Sequence, residues 1–538
     1  MPRAATWICL IAIVILGFGL RVYGLNNFYF SPDDLLILEI ASGESLQQVW
    51  RNGVEHTYPP LLYWLLHFVE KVILDATFFR YFPLLSGVAL IFASFYLGRV
   101  VSGEIAGIAM AFLAASSVGS VIQSQVIRPY CLLAFLLTVG LTEIALYQRY
   151  GRTRSLIWYG VVTVLGVLLH YGSSIQLLGV SAAWAGHLAL NRASSRKWAH
   201  FLAASLPPFA ILATLYLLHL RTIRGLYTAL RQSYLKVGFP TDMTQFWSSV
   251  RSFFELMLLP DIWWLALLLV PIGVCALWRK SHTLALAVLL TAMTNLVLMG
   301  ADRYPFGGSR HSFVLFPVFA LTMGCAIQYL FEAFSSRPLS VGAKKRRWRV
   351  AHSVFAIGLL ISVPLVWTYY GSREFMRTSR YGGAEFPVRW NDYRGALARL
   401  RCGIGARDVV LANRQTGHYL LFEAGYSPSR VHSYRSDELF HFTIDRVDGG
   451  HVQVYVAEAE LNFRDAEALT RSLAKLAEAV EVQADTNVWV ANFGWDTPIE
   501  RIRETDPIYA ELAEPVEVAR GVQLYRLSGR AVQTLLDR

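Results

Sequence analysis

The sequence predicts an α-helical membrane protein with about eleven spans, followed by a mixed α/β domain outside the cytoplasm. Three observations lead to this fold class. Of the 538 residues, 54% are hydrophobic and 16% are charged, and the mean hydropathy of +0.40 is high for a soluble protein. The apolar residues form blocks, many of them near the roughly 20 residues that a membrane-spanning helix needs. Short basic loops alternate between the blocks, as cytoplasmic loops do.

Block length places the spans near residues 5–25, 80–101, 104–120, 127–148, 155–171, 174–190, 200–219, 261–278, 283–300, 310–332 and 350–370. The first block begins after Arg3, and no clear cleavage site for a signal peptide follows its apolar run. We therefore expect the first block to remain as a helix.

The basic loops set the orientation. They include Arg149/Arg152/Arg154, Arg192/Arg196/Lys197, Arg279/Lys280 and the run from Lys344 to Arg349. The positive-inside rule puts these loops and the N-terminus in the cytoplasm. The net charge of +11 then reflects topology and contact with membrane lipids, and no nucleic-acid partner is predicted. An odd number of spans puts the C-terminal domain outside, in the periplasm or extracellular space.

The tail supplies the α/β part of the prediction. Residues 1–371 are predicted to form the membrane domain with a first external loop at 26–79, and residues 372–538 a soluble domain. Alternating apolar runs predict strands at 408–412, 451–456 and 487–492. A helical period predicts a helix over 464–480.

The first external loop opens with the acidic pair Asp33-Asp34, directly after Ser31-Pro32. This pattern is typical of a helix start, where the first turn favours acids. An acid at a membrane surface is also a candidate general base. Both readings stay open, and Leu35 to Trp50 are expected to form an interfacial helix.

Further candidate residues fall on the same predicted outer face. Each has a plain structural explanation, such as a turn at proline or an arginine at the interface, and each could line a binding site. They are His56, Tyr58, Arg128, Tyr130, His170, Tyr304, Arg310 and His311.

Their concentration on one face favours a joint role, because structural accidents would scatter over both faces. A carboxylate base combined with arginines suits the transfer of a group away from a phosphate. The arginines would stabilise the departing phosphate charge, and the carboxylate would take the proton of the acceptor.

Several short motifs resemble those of the GT-C glycosyltransferases, and in particular the group of protein mannosyltransferases and aminoarabinose transferases (families 39 and 83). The matching runs are Asp33-Asp34, His56-Thr-Tyr-Pro-Pro-Leu-Leu-Tyr63, Arg128-Pro-Tyr130, His170-Tyr171 and Gly308-Ser-Arg310-His311. The resemblance covers about residues 1–370 in order and topology.

The resemblance implies an enzyme that uses a sugar carried on a polyprenyl phosphate. Asp33 would be the catalytic carboxylate, Arg128 and Arg310 would contact the lipid phosphate, and Tyr58 or His56 would line a pocket. The family often has Asp-Glu where this chain has Asp33-Asp34, which leaves the identity of the base open. Some relatives bind a divalent metal through such acids, so a metal cofactor is also left open.

The sequence thus predicts an integral glycosyltransferase of a bacterial inner membrane. Its donor would be a polyprenyl-phosphate sugar, and its acceptor a glycan, lipid or protein on the non-cytoplasmic face. A transporter or flippase of a lipid-linked sugar is the alternative, although few charges lie within the blocks and no paired halves are visible. A receptor-like scaffold whose tail binds a partner is a third hypothesis.

Overall fold

The fold comes from a computed structural model of the whole chain. It describes residues 3–23, 25, 30–54, 58–72, 76–221, 240, 242–301, 303–335, 366, 388–423, 439–457, 463, 465–493, 498–519 and 521–537. Within these residues the chain forms two compact units. The first comprises Met1–Tyr23 with Trp50–Tyr381, and the second comprises Gly24–Val49 with Gly382–Arg538.

The described part up to residue 335 is helical. Its α-helices are α1 Arg3–Val22, α2 Pro32–Ala41, α3 Leu46–Val54, α4 Leu61–Val72, α5 Tyr81–Val101, α6 Glu104–Ser116, α7 Val118–Gln123, α8 Tyr130–Tyr150, α9 Thr153–Leu169, α10 Ser173–Leu190, α11 Ser195–Leu215, α12 Met243–Met257, α13 Trp264–Lys280, α14 His282–Gly300 and α15 Phe316–Ser335. A π-helical turn, Tyr216–Leu220, extends α11. A 3₁₀-helix, Arg310–Leu315, leads into α15.

Among the described residues, six helices are long and apolar enough to cross a membrane. The first, α1, exposes a row of large apolar side chains, with Ile8 61% and Ile15 66% exposed. Such a surface is unfavourable in water and is expected to face lipid. The chain is therefore an integral membrane protein, as the sequence predicts.

Small residues let these helices approach closely. A Cβ added to Gly179 of α10 would lie 2.3 Å from Oγ1 of Thr291 in α14. A Cβ added to Gly273 of α13 would lie 2.0 Å from the carbonyl oxygen of Thr322 in α15. Backbone contact of this kind is how helices associate in lipid, where the hydrophobic effect does not drive them together.

A buried arginine ties the end of α1 to its neighbours. Arg21 is fully buried, and its guanidinium donates to the carbonyl oxygens of Gly17, Ala114 and Ala115 at 2.8, 2.7 and 3.1 Å. It also donates to the hydroxyl of Ser120 at 2.6 Å. A buried charge is tolerated when hydrogen bonds replace its hydration. Arg21 therefore has a packing role in the first unit.

The second unit contains a six-stranded sheet of order β2-β3-β1-β4-β6-β5. Its strands are β1 Val409–Asn413, β2 Phe440–Asp445, β3 His451–Ala457, β4 Asn487–Phe493, β5 Glu514–Ala519 and β6 Val522–Ser528. β1 pairs in parallel with β3 and β4, whereas β2, β5 and β6 join in antiparallel pairs. Every residue of β1 is buried, which suits a central strand covered on both faces.

Helices accompany the sheet. They are α16 Trp390–Gly403, α17 Arg414–Glu423, α18 Ala466–Ala479, α19 Pro498–Thr505, α20 Pro507–Leu512 and α21 Gly529–Leu536. Leucines of α18, including Leu469, Leu473 and Leu476, share an apolar core with Val409 and Leu411 of β1. The second unit thus has a core of its own.

Most predicted elements are confirmed. Each of the first ten predicted spans coincides with a described helix, while the eleventh, 350–370, lies almost wholly outside the described residues. The three predicted strands correspond to β1, β3 and β4, and the predicted helix at 464–480 to α18. The number of spans and the domain boundary at residues 371–372 stay predictions.

One prediction about the first external loop is wrong. Residues 35–50 do not form one helix, because α2 ends at Ala41 and α3 begins at Leu46. Ser42 closes α2 with its backbone amide on the carbonyls of Leu38 and Glu39. The Ser45 hydroxyl then accepts from the backbone amide of Gln48 in the first turn of α3. The segment between them supplies caps for both ends, as serine favours.

Candidate functional site

In the first unit, three predicted site residues form an aromatic–histidine cluster. Tyr130 begins α8, His170 follows α9, and His311 lies in the 3₁₀-helix before α15. The Tyr130 hydroxyl is hydrogen-bonded to Nδ1 of His311 at 3.1 Å. The rings of Tyr130 and His170 lie 5.1 Å apart, and those of His170 and His311 lie 6.3 Å apart. Residues far apart in sequence therefore meet in the first unit.

Two tyrosines extend the cluster. The Tyr58 ring lies 5.7 Å from the His170 ring. The Tyr304 hydroxyl donates to the carbonyl oxygen of His311 at 3.1 Å, and the two rings lie 6.0 Å apart, edge to face. His56, the remaining candidate in the first external loop, lies outside the described residues.

His170 is neutral in the folded protein. The backbone amide of Gly172 donates to its Nδ1 at 2.8 Å, so Nδ1 carries no proton. The Nε2–H is then the hydrogen-bond donor that the ring can offer.

Gly172 has its own part in this geometry. A Cβ at this position would lie 2.4 Å from the Tyr304 hydroxyl and 2.9 Å from Nδ1 of His170. Only a residue without a side chain leaves room for this packing. The sequence reasoning missed Gly172, although its place directly after His170-Tyr171 was a usable signal.

Two arginines give the cluster its positive charge. Arg128 is 1% exposed and ranks among the largest fully buried side chains of the described part. The charges of Arg310 and Arg128 both act on the ring of His311. A buried guanidinium needs hydrogen-bond acceptors to replace water, and its planar fork matches a phosphate or a carboxylate. The cluster is therefore suited to hold an anion.

The glycine pair before the 3₁₀-helix is a fixed turn. The Gly307 amide donates to the Ser312 hydroxyl at 3.0 Å, and the Gly308 amide donates to the Ser252 hydroxyl at 2.9 Å. Gly307 has a φ of 124°, which favours glycine. Because serines take up both amides, the turn reading of this pair fits better than anion binding by its backbone. Ser252, an anchor from α12, was not singled out from the sequence.

The acidic pair lies in the second unit, at the start of α2. Ser31 and Asp34 form a capping box. The backbone amide of Ser31 donates to Oδ2 of Asp34 at 2.9 Å, and the backbone amide of Asp34 donates to Oγ of Ser31 at 3.2 Å. Asp34 is 1% exposed, whereas Asp33 is half-buried. The helix start therefore accounts for Asp34 through the capping box, and Asp33 lies beside it in the first turn, where the helix dipole favours an acid.

The resemblance left a divalent metal open. Among the residues that the structure describes, no three or more His, Cys, Asp or Glu side chains lie together in a group that could hold a metal ion. The capping box also occupies one of the two acids. The described residues therefore do not fit a metal at the acidic pair, and no step below depends on one.

Comparison with known proteins supports the fold. No protein-family model matches the sequence, and no curated protein matches it. Two crystal structures of ArnT from Cupriavidus metallidurans are similar over almost the whole chain. The apo structure has a TM-score of 0.51 at 11% identity and covers 98% of this chain and 99% of that one. The structure bound to undecaprenyl phosphate has a TM-score of 0.51 at 11% identity, with coverage of 97% and 98%.

A weaker likeness is to the oligosaccharyltransferase of Archaeoglobus fulgidus tethered with an acceptor peptide. It has a TM-score of 0.46 at 13% identity and covers 78% of this chain, which spans 63% of that protein. The chain shares the fold of ArnT: a polytopic helical membrane part followed by a mixed α/β domain.

Proposed function

We propose that this chain is a glycosyltransferase of GT-C type that transfers a sugar from a polyprenyl-phosphate carrier to an acceptor on the non-cytoplasmic face. The observation that carries the proposal is the cluster of Arg128, Tyr130 and His170, all buried, with the half-buried His311, in a chain with the fold of ArnT. The ArnT structure bound to undecaprenyl phosphate supports the class of donor.

In the proposed reaction, an oxygen of the acceptor forms a bond with the anomeric carbon of the sugar. The bond between that carbon and the phosphate oxygen breaks, and the phosphate leaves with the electron pair. Arg128 and Arg310 stabilise the charge that develops on the phosphate. His170, held neutral with Nε2–H as donor, can orient a phosphate oxygen without contributing another charge.

We assign Asp33 as the general base that takes the proton from an acceptor hydroxyl. The Asp34 carboxylate already accepts the Ser31 amide in the capping box, and it is almost fully buried. Asp33, on the more exposed side of α2, is the better candidate for contact with an acceptor. Tyr58, Tyr304 and His56 are proposed to line the substrate site.

The orientation belongs to the same proposal. The basic loops favour a cytoplasmic N-terminus and a periplasmic or extracellular C-terminal domain. We propose the inner membrane of a bacterium as its location. The sugar and the acceptor (a glycan, lipid or protein) are to be identified by assay.

The test is a transfer assay in membranes with a panel of radiolabelled polyprenyl-phosphate sugars. Asp33→Asn is expected to lower kcat by about 10²–10⁴-fold, the usual contribution of a general base. Arg128→Gln is expected to weaken the binding of undecaprenyl phosphate, measured with the lipid that carries no sugar. Arg251→Gln is the matched control, because Arg251 pairs with Glu255 on the exposed side of α12 at 2.7 Å.

Full transfer by Asp33→Asn would contradict the assignment of the base. Movement of the lipid across the membrane without a covalent product would contradict the transferase and favour a flippase of a lipid-linked sugar.

A further inference from the structure

A buried pair within the second unit links α2, the helix that begins with the acidic pair, to a helix of the C-terminal sheet domain. Glu39 lies in the last turn of α2, and His418 lies in α17. Nδ1 of His418 and Oε2 of Glu39 are 2.8 Å apart, with side chains that are 8% and 10% exposed. The pair joins residues 379 positions apart in sequence and stands in an otherwise apolar stretch, Leu-Leu-Ile-Leu-Glu-Ile-Ala.

A second contact fixes the other end of α2. The hydroxyl of Tyr419, the neighbour of His418, donates to the carbonyl oxygen of Phe30 at 2.8 Å. Phe30 directly precedes the capping residue Ser31. Phe30 precedes the first turn of α2, whereas Glu39 lies in its last turn. Attachment at two points fixes both the position and the rotation of α2.

α17 is itself anchored to the sheet. Asn413 ends β1, and its Oδ1 accepts from the backbone amide of Thr416 at 2.8 Å. The Thr416 hydroxyl in turn accepts from the backbone amide of Phe493 in β4 at 2.6 Å. Gly417 packs against Val456 of β3, where an added Cβ would lie 2.6 Å from Cγ1. The sheet therefore provides a rigid base for His418 and Tyr419.

We infer that Glu39, His418 and Tyr419 are positioning residues that hold Asp33 in place through α2. This inference rests on the proposed function, because it takes Asp33 as the base. It gives the C-terminal domain a role in the reaction: the sheet holds the helix that presents the carboxylate. The contacts Glu39–His418 and Phe30–Tyr419 together form a clamp on α2. Displacement of a catalytic group by about 1 Å can lower a rate by about 100-fold, so variants that weaken the clamp are expected to lower kcat.

The burial of the pair sets the design of the variants. Removal of one partner leaves the other buried without its hydrogen bond, whereas an apolar pair of similar size often preserves packing. Glu39→Met and His418→Leu are therefore tested singly and together. Each single variant is expected to lower kcat by about tenfold or more, with KM for the polyprenyl-phosphate sugar within about threefold. The double variant is expected to recover to within about fivefold of the parent.

His451→Leu is the matched control. His451 and Asp445 form a similar pair in the same domain, at 3.0 Å, but their side chains are 67% and 83% exposed. The control is expected to keep kcat within about twofold, because exposed pairs contribute little.

Tyr419→Phe is a milder variant that keeps the ring between Tyr393 and Phe493 and removes the hydroxyl that binds Phe30. It is expected to lower kcat about two- to fivefold. Its control is Tyr393→Phe, which loses a 3.4 Å bond to the Tyr419 carbonyl within the same domain.

Combination with Asp33→Asn separates this inference from the proposed function. If the clamp acts through Asp33, His418→Leu will lower kcat further by less than twofold when Asp33 is already asparagine. Single variants with kcat within twofold of the parent overturn the inference. So does a loss of activity that matches the loss of folded protein in thermal unfolding. An active Asp33→Asn enzyme contradicts the proposed base itself, whereas an inactive one beside fully active clamp variants contradicts the clamp alone.

Discussion

At the scale of single residues, burial and backbone donors decide what a side chain can do. The Gly172 amide donates to Nδ1 of His170 and so fixes the tautomer of this ring. The Ser31 amide similarly takes up the carboxylate of Asp34. Asp33 and Asp34 are chemically alike but have different surroundings, because the carboxylate of Asp34 accepts a hydrogen bond within the capping box.

At the scale of elements, close helix packing and helix capping shape the two units. α10 and α14 pack against each other, and they approach closely where Gly179 faces Thr291. α2 begins with a capping box, which satisfies two backbone amides that a helix start leaves without partners. The missing side chain of Gly179 thus determines how closely α10 and α14 pack, and the capping box determines where α2 begins.

Gly179→Ala is expected to destabilise the first unit by about 1–3 kcal/mol, the usual cost of overpacking. Its Cβ would lie 2.3 Å from Oγ1 and 2.5 Å from the amide nitrogen of Thr291, so α10 and α14 must separate. Gly186→Ala in the same helix is the control, since its Cβ meets nothing within 4 Å in the described part. The control should be neutral or gain up to about 1 kcal/mol of helix propensity. Equal unfolding midpoints for the two variants would contradict this packing.

At the scale of the whole molecule, the chain combines a helical membrane unit with a unit built on a sheet. The second unit includes residues from both parts of the sequence, Gly24–Val49 and Gly382–Arg538. The first external loop therefore supplies a helix to the C-terminal domain. The contacts of α2 with α17 hold this part of the loop in place, because a segment with buried contacts opens less readily than an exposed loop.

The proposed orientation predicts the accessibility of one cysteine. Cys402 is exposed near the end of α16. In a Cys275→Ser background, a membrane-impermeant maleimide is expected to label Cys402 in cells whose inner membrane is intact. Arg152→Cys, at an exposed position between α8 and α9, is expected to react only after permeabilisation. The reverse labelling pattern would contradict the proposed orientation and indicate a cytoplasmic C-terminal domain.

Local patterns predicted much of this fold. Apolar block length located α1, α5, α6, α8 to α11 and α13 to α15, because a helix in lipid satisfies its backbone within one segment. Alternation located β1, β3 and β4, since a buried strand needs apolar residues in a short run. The site could be predicted in part: Tyr130, His170 and His311 were selected as candidates and do meet.

The sequence by itself determined the class of fold, the apolar helices and a set of candidate residues, because these depend on local composition and period. Only the tertiary structure decided that Asp34 caps its helix behind Ser31, that Gly172 leaves room for Tyr304, and that Glu39 pairs with His418. Each of these features requires two polar or packed atoms to lie within about 3 Å of each other. Such distances depend on the local backbone conformation or on how distant segments pack together. Sequence spacing carries no such distances, so the pairing of buried polar groups emerges only once the chain is folded.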